Sequence, residues 1–421
     1  MTENHLDAHR TLDAIWRIES PKLIAGLARM VRDVGVAEDL AQDAFVSALD
    51  QWPETGIPRN PGAWLMAIAK RRAIDRFRRE DRLERKHDEI ARNGALLAAE
   101  DVALDALDDD IGDDLLRLIF IACHPLLTVE ARVALTLRLL GGLTTAEIAR
   151  AFLVGEPAIA QRIVRAKRTL REARVPFEVP SRQERTERLS SVLEVIYLIF
   201  NEGYSATTGE DVVRPALCED AMRLGRVVAE LVPTEPEVHG LVALMELQAS
   251  RLKARIGPSG EPILLLDQDR GQWDHLLIGR GLAALARAEK SSKSLGPYAL
   301  QAAIAACHAR ARTAAETDWT RIAALYDALA VLLPTPVVHL NRAVAIGMAY
   351  GPAAGLELVD ALASEPALTA YYLLPSVRGD LLEKLGLPSE ARAEFERAAS
   401  LAHNVPVRNL LLGRAAACAR A

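Results

Sequence analysis

The stretches AEDLAQDAFVSALDQW (residues 37–52) and NPGAWLMAIAKRRAIDRFRRE (residues 60–80) decide the fold of the N-terminal part of this chain. In the first stretch, apolar residues recur at the spacing of a helix, namely Leu40, Ala41, Ala44, Phe45, Ala48 and Leu49. Carboxylates, including Glu38, Asp39 and Asp43, fall on the opposite side. The second stretch is apolar in its first half and basic in its second, and its helical spacing predicts a buried stripe of Leu65, Ile68, Ala69, Ala73 and Phe77. Three prolines and two glycines in residues 53–62 predict a loop between two helices.

Composition favours an all-α protein with several domains. The chain has 421 residues, of which 50% are hydrophobic and 5% aromatic, and no run of alternating residues bounded by hairpin turns. Residues 8–19 and 22–33 predict two further helices, with Pro21 at the start of the second. Breaks in pattern and composition predict a helical domain at 1–85, an acidic linker at 86–112, a second helical domain at 113–178, an extension domain at 188–290 and helical repeats at 291–421.

The net charge of −6 conceals two basic segments. Residues 70–86 hold nine Lys/Arg against four Asp/Glu, and residues 162–174 hold six against one. Residues 88–114 reverse the balance, with ten Asp/Glu and a single arginine. This distribution predicts two nucleic-acid footprints separated by an acidic tether.

The cysteines and the apolar runs indicate a cytoplasmic protein. Cys123, Cys218, Cys307 and Cys418 are widely spaced and form no C-x-x-C pair, so we predict free thiols, no metal site and no cofactor. The N-terminus lacks the apolar core of a signal peptide. The most apolar stretch, residues 115–127, is too short to span a bilayer, so we expect no membrane contact.

Residues 144–174 have the pattern of a helix-turn-helix. Thr144 and Glu147 predict a capping box, and Glu156 and Pro157 predict the start of a second helix. An inward stripe is formed by Ile159, Ile163, Ala166 and Leu170. The outward face holds Ala158, Gln161, Arg162, Arg165 and Arg168, where Gln and Arg can contact base edges, while Lys167 and Arg171 suit phosphate contacts. The alternative is a helical hairpin with a solvated basic face.

The helix after the loop predicts a site for single-stranded DNA, because aromatic rings stack on bases while cations follow the backbone. The candidate residues are Trp64, Lys70, Arg71, Arg72, Arg76, Arg78 and Arg79. In the alternative interpretation Trp64 is a core residue and the arginines form a solvated face. Asp39 and Asp43 on the preceding helix repel DNA, so that face suits a protein partner or water.

Together these segments resemble the extracytoplasmic-function (ECF) sigma factors of bacterial RNA polymerase. EDLAQDAFVSAL (residues 38–49) is similar to their region 2.1–2.2, WLMAIAKRRAIDRFRR (64–79) to region 2.3–2.4, and 144–174 to region 4. Arg71 stands where the family usually has Asn. The resemblance implies that region 2 binds the β′ clamp helices of core polymerase and captures the −10 element. It implies that region 4 rests on the β flap and reads the −35 element. The implied polymerase-binding residues are Asp39, Gln42, Asp43 and Phe45.

The C-terminal extension has two recognisable parts. Residues 189–286, with FNEGYSA (200–206) and LLLDQDRGQWD (264–274), resemble the extension of a subgroup of these sigma factors. Beyond residue 290, the spacing A-x3-F-x2-A at Ala391, Phe395 and Ala398 indicates tetratricopeptide-like repeats. A polar set is compatible with a pocket, a buried ion-pair network or a solvated loop. Its members are His239, Glu246, Arg251, Asp267, Asp269, Arg270 and Trp273.

The sequence therefore predicts an alternative sigma factor with no catalytic residues. It would bind core polymerase and promoter DNA, and its extension would tune activity through contact with the sigma domains. The alternative is an operator-binding helix-turn-helix regulator with a C-terminal sensing domain. An enzyme within 190–290 has little support, because that segment has no metal spacing, nucleophile motif or phosphate-cradling glycine loop.

Overall fold

A computed structural model describes residues 3–90, 111–152, 154–205, 211–292 and 294–420. These residues form 18 α-helices and a few 3-10 turns, with an isolated bridge between Ile256 and Pro262 and no strand among them. The all-α prediction is confirmed. The chain divides into two compact units, Met1–Val195 and Ile196–Ala421. Most of the predicted acidic linker, residues 91–110, lies outside the described residues.

The first unit contains seven helices and the beginning of an eighth. They are α1 (Glu3–Val31), α2 (Val34–Thr55), α3 (Pro61–Ile90), α4 (Ile111–Ala122), α5 (Val129–Leu139), α6 (Thr145–Phe152), α7 (Glu156–Glu172) and α8 (Arg182–Tyr204). The two helices predicted at 8–19 and 22–33 are one helix, α1, with Pro21 inside it. α1 packs against α2, α3 and α4. This packing keeps α1 helical through Pro21, although a proline inside a helix usually breaks it.

The ends of α2 and α3 follow from local hydrogen bonds. Asp33 precedes α2 and its carboxylate accepts from the Val36 N–H at 3.0 Å. Gly56 ends α2 with φ +81°, a conformation that costs a residue with a side chain more than it costs glycine. The Asn60 side chain then accepts from the Ala63 N–H at 3.0 Å at the start of α3. The predicted loop is therefore shorter than residues 53–62, because Pro53 lies inside α2 and Pro61 begins α3.

The predicted core stripe of α3 is correct over most of its length. Leu65, Ala69 and Ala73 are buried, but Phe77 is 43% exposed, so its predicted burial is wrong. Ala73 is the last buried position of α3 whose side chain is described. The basic half of the helix therefore has an aromatic ring on its surface.

The second unit is a series of helices in which each packs on its neighbours. The helices after α8 are α9 (Pro215–Leu231), α10 (Pro236–Ala249), α11 (His275–Ser291), α12 (Pro297–Arg310), α13 (Trp319–Leu332), α14 (Pro336–Tyr350), α15 (Pro352–Ala361), α16 (Leu373–Lys384), α17 (Pro388–Leu401) and α18 (Val405–Cys418). Ala391, Phe395 and Ala398 are all fully buried. A Cβ on Gly379 of α16 would lie 2.8 Å from the Phe395 ring, so this glycine allows α16 and α17 to approach closely. None of the described helices is long and apolar enough to cross a membrane.

Candidate nucleic-acid interface

Helices α6 and α7 form the predicted helix-turn-helix. The Thr144 hydroxyl accepts from the Glu147 N–H at 3.1 Å, and the Glu147 carboxylate accepts from the Thr144 N–H at 2.8 Å, so the capping box is confirmed. The predicted cap by Glu156 is wrong. Gly155 precedes α7 and makes no side-chain cap, because the Glu156 residue already belongs to the first turn of the helix.

The inward and outward faces of α7 are those that the sequence predicts. Ile159, Ile163, Ala166 and Leu170 are buried. Ala158, Gln161 and Arg165 are exposed, whereas Arg162 is half-buried. These last four residues line an open cavity of about 470 Å³ beside the start of α5. The N-terminal half of α7 therefore presents an amide and two guanidinium groups on one accessible surface.

The other basic residues of α7 are engaged within the first unit. Arg168 forms an exposed ion pair with Glu172 at 2.6 Å on the same helix. The Lys167 ammonium forms an ion pair with Glu38 of α2, and only 17% of the Lys167 side chain is exposed. Arg171 donates from Nε to the Asp33 carboxylate at 2.5 Å. Two of the residues that the sequence assigns to phosphate contacts are thus held by α2 and by the residue that caps it.

Glu38 is the residue that sequence reasoning missed. It was placed on the polar side of α2, but its side chain is 3% exposed. Its Oε1 accepts from Arg138 Nε at 2.6 Å and from Gln42 Nε2 at 2.5 Å, while Lys167 lies against Oε2. The available signal was spacing, because Glu38 shares a helical stripe with Ala41 and with the buried residues further along α2.

Two further contacts join α7 and α6 to the start of the chain. Burial alone would raise the pKa of Asp33, but the bonds from Arg171 and from the Val36 N–H lower it below its ordinary 3.8. Arg17 of α1 donates to Glu147 at 2.7 Å. Burial alone would likewise raise the pKa of Glu147, and the Thr144 N–H, the Thr144 hydroxyl and Arg17 together lower it. The helix-turn-helix is therefore fixed to the first helices of the unit by several charged contacts.

The predicted single-strand site on α3 is partly exposed and partly packed. The Trp64 ring is half-buried and lies edge-on to Trp52, with centroids 5.2 Å apart. Arg72 donates to the Ser47 hydroxyl at 2.7 Å and lies 3.8 Å from the Asp43 carboxylate. Lys70 is half-buried. The exposed arginines of the set are Arg71, Arg76, Arg78 and Arg79.

The predicted polymerase-binding residues fall into two groups. Asp39 and Asp43 are exposed on α2. Gln42 donates to Glu38, and Phe45 packs on the Trp16 ring of α1 with centroids 4.7 Å apart. An accessible surface of two carboxylates therefore lies beside a glutamine and a phenylalanine that have contacts within the unit.

The cysteines and the extension complete the set of candidates. All four cysteines are buried and free, and burial raises the pKa of Cys123 to about 11 and that of Cys218 to about 12. The described residues include no group of His, Cys, Asp and Glu side chains suited to a metal ion. Of the polar set predicted in the extension, Glu246 pairs with Arg226 at 2.8 Å, and the structure brings Arg251, Arg270 and Trp273 together.

Three family models match the chain. The model for Sigma-70 region 2 matches residues 16–83, and the model for Sigma-70 region 4 matches residues 117–170. A family of unknown function, DUF6596, matches residues 188–289.

Curated relatives cover different shares of the chain. An uncharacterized protein of Rhizobium meliloti (strain 1021) is 44% identical over 385 residues, which is 91% of this chain and 90% of the relative. The ECF RNA polymerase sigma factor SigK of Mycobacterium ulcerans (strain Agy99) is 32% identical over 149 residues, or 34% of this chain and 75% of the relative. The probable ECF RNA polymerase sigma factor SigI of Mycobacterium tuberculosis (strain ATCC 25618 / H37Rv) is 30% identical over 181 residues, or 43% of this chain and 61% of the relative. No solved structure matches.

Proposed function

The chain belongs to the ECF family of RNA polymerase sigma factors, and on that premise we propose how its residues act as an alternative sigma factor. A sigma factor is a non-enzymatic subunit that binds core polymerase and directs it to promoters. The observation that carries the assignment of residues is the exposed surface of α2 and α3, where carboxylates are followed by a row of arginines. An operator-binding regulator has no need of such a surface next to its helix-turn-helix.

We assign −35 recognition to the N-terminal half of α7. In helix-turn-helix proteins this part of the second helix reaches the base edges of the major groove. Gln161 and Arg165 are exposed there, and both can form two hydrogen bonds to one base. Ala158 leaves room for the methyl group of a thymine. Arg162 and Arg168 would contact the flanking phosphates.

We assign capture of the −10 element to α3. Its exposed arginines, together with the surface ring of Phe77, form a basic track that includes an aromatic group. Such tracks suit single-stranded DNA, because stacking accepts any base while the cations follow the phosphates. Trp64 takes part only if its contact with Trp52 leaves one face of its ring accessible.

We assign polymerase docking to the exposed carboxylates of α2. Asp39 and Asp43 would face the β′ clamp helices, and the domain containing α7 would rest on the β flap. Both assignments follow from the family resemblance, and the exposure of the two carboxylates supports the first. Since the partner is the transcription machinery, we place the protein in the cytoplasm.

The paired state of α7 adds a condition to this scheme. The charges of Lys167 and Arg171 are offset by Glu38 and Asp33, and only 17% of the Lys167 side chain is exposed, so both residues bind phosphate less well in this arrangement. We therefore infer that α7 separates from α2 when the protein engages polymerase and promoter. Free protein would then bind a −35 duplex more weakly than its basic residues alone would predict.

The function is tested with purified protein and core polymerase. Addition of the protein should yield transcripts from a cognate promoter, and the two should co-purify. Replacing both Asp39 and Asp43 by Asn should weaken association with core polymerase about tenfold or more. The double variant Asp50→Asn/Glu54→Gln, which removes the same number of negative charges at other exposed positions of α2, is the control. Operator binding without any association with core polymerase would instead support the alternative regulator.

The role of the extension is tested by truncation, and the structure decides where the chain should be cut. A fragment ending at residue 178 loses Arg188, which donates to the Phe120 carbonyl at 2.9 Å, and Ser191, which donates to the Cys123 carbonyl at 2.8 Å. Both contacts lie within the first unit, so that fragment would lose stability for a reason unrelated to the extension. A fragment ending at residue 195 keeps them. We propose that the extension tunes polymerase binding, so this fragment should be more active or less active than the full chain; equal activity would contradict the proposal.

A further inference from the structure

Three arginines of the second unit lie against aromatic rings. The Arg255 Cζ atom lies 3.9 Å from the centre of the Tyr204 ring. Arg251 lies 5.9 Å from the same ring and 5.8 Å from the Trp273 ring, and Arg270 lies 4.9 Å from the Trp273 ring. We call these five residues the arginine–aromatic cluster. None of the three arginines forms an ion pair with any residue that the structure describes.

The cluster contains several buried polar atoms with no hydrogen-bond partner among the described parts of the chain. They are Tyr204 Oη, Arg255 Nε, Arg270 Nε and Trp273 Nε1. Tyr204 is only 8% exposed and Trp273 only 4%. Buried polar groups in native proteins nearly always have a partner, so several orphans in one place call for an explanation. The two arginine nitrogens and the Trp273 nitrogen only donate, and the Tyr204 hydroxyl can donate as well, so an acceptor would satisfy all four groups.

The charges around the cluster also favour a hydrogen-bond acceptor as the missing partner. The pKa of Arg270 is lowered by burial and by the positive charge of Arg251, although Glu316 partly offsets the effect. The pKa of His308 is lowered to about 3 by burial, Arg251 and Arg270, so this histidine is neutral near pH 7. Arg270 donates from Nη1 to the carbonyls of His308 and Ala311, each at 2.7 Å, and from Nη2 to the Thr317 hydroxyl at 3.0 Å. Among the residues that the structure describes, none accepts a hydrogen bond from the Arg251 or Arg255 guanidinium group, so these donors can serve a bound group.

Tyrosines from later helices border the same region. Burial raises the pKa of Tyr326 of α13 to about 12, with Arg251 acting in the opposite direction. Burial likewise raises the pKa of Tyr372, next to α16, and Arg255 opposes it. Both residues nevertheless remain partly accessible. Two partly accessible hydroxyl groups therefore lie near Arg251 and Arg255.

We propose that the arginine–aromatic cluster binds an anionic small molecule through a phosphate or carboxylate group. Guanidinium groups form paired hydrogen bonds to both kinds of oxyanion, and the rings give the rest of the ligand a surface to stack on. The proposal concerns the extension alone, and it stands or falls independently of the sigma function.

The test uses the full chain with 5-fluorotryptophan in place of tryptophan. The fluorine resonance of Trp273 is assigned with Trp273→Phe and followed during titration with sodium phosphate or sodium succinate, against sodium chloride at equal ionic strength. Anions that bind the basic helices of the first unit do not shift this resonance, so the signal is local to the cluster. A saturable shift is expected with at least one of the two anions. A response to phosphate alone identifies a phosphorylated ligand, and a response to succinate alone identifies a carboxylate.

Variants separate a built site from general ionic effects. Arg255→Gln should raise the dissociation constant about tenfold or more, since it removes a charged hydrogen-bond donor. Arg280→Gln, which removes an exposed arginine of α11, should match the wild type. Tyr204→Phe removes only the orphan hydroxyl and should weaken binding several-fold, and it carries the test if Arg255→Gln does not fold. The absence of a saturable shift with both anions would overturn the proposal. So would unchanged affinity in both cluster variants.

Discussion

Replacing Glu38 by Gln should release α7 from α2. The Glu38 carboxylate lies between Arg138 and Lys167 and accepts a hydrogen bond from Gln42. A glutamine keeps the shape of the side chain, and its carbonyl oxygen still accepts from Gln42. The substitution therefore removes one negative charge from a buried site and leaves two positive charges facing each other.

The magnitude follows from burial and distance. At about 4 Å between charge centres and an effective dielectric constant near 20, each ion pair contributes roughly 4 kcal/mol of Coulomb energy, most of which the cost of desolvation offsets. Removing one partner of a buried pair costs about 3–5 kcal/mol. The Arg138 and Lys167 side chains are 20% and 17% exposed and regain some water, so we expect about 2–3 kcal/mol. This shifts the balance between paired and separated α7 by roughly 30- to 150-fold.

The assay is the distance between dyes on two introduced cysteines, Ala63→Cys in α3 and Ala160→Cys in α7, both at exposed positions. Glu38→Gln should increase the population with a long distance, and it should raise the affinity of free protein for a promoter duplex. Asp50→Asn carries the same change in charge on the same helix and should do neither. The reasoning fails if Glu38→Gln folds normally but leaves distance and affinity unchanged, or if Asp50→Asn has an equal effect.

Three further outcomes are expected. Arg165→Ala should weaken binding to a −35 duplex by about 1–3 kcal/mol and remove the preference at one base pair, if Arg165 contacts a base. If Arg165 contacts a phosphate instead, affinity should fall equally for all sequences, and the salt slope should be lower by about one. Arg78→Gln should weaken binding to a single-stranded −10 oligonucleotide and leave −35 duplex binding unchanged. Because the pKa of Asp33 is lowered below 3.8, its pairing with Arg171 contributes stability that is complete above about pH 4 and is lost as the pH falls through the folded pKa. The dye distance should therefore lengthen on acidification, and Asp33→Asn should lengthen it already at pH 7.

Much of the fold was predictable from local pattern. The stripe of α2, the capping box of α6 and the inward residues of α7 depend on neighbours within one helix or one turn, so the sequence contains the whole signal. The continuity of α1 through Pro21 was not predictable in this way. It depends on packing against helices that are distant along the chain, and no local rule reports that packing.

The candidate site was predictable as a set of residue types, but the way its residues are used was not. Spacing alone separates Gln161 and Arg165 from the inward face of α7. Spacing cannot show that Lys167, unlike Gln161 and Arg165, is paired within the protein, because its partner lies on another helix. Glu38 was misplaced for the same reason. A charged residue on an apolar stripe is ordinarily assigned to the edge of that stripe, and only the positions of Arg138 and Lys167 show that it is buried.

The two misassigned residues, Lys167 and Glu38, form one ion pair, and that pair predicts how DNA binding depends on salt. For each phosphate that Lys or Arg neutralises, the logarithm of the binding constant falls with the logarithm of the salt concentration by an additional slope of about 0.9. In the wild type, however, DNA must first displace Glu38 from Lys167, and salt assists that step by screening the charges that separation exposes. The two effects oppose each other, so the salt dependence of the wild type should be shallower than that of Glu38→Gln. The variant should bind promoter DNA more tightly at low salt, and the two affinities should converge as salt rises. Parallel lines would mean that Lys167 keeps its bond to Glu38 on DNA, and that the phosphates are held by the remaining arginines of α7.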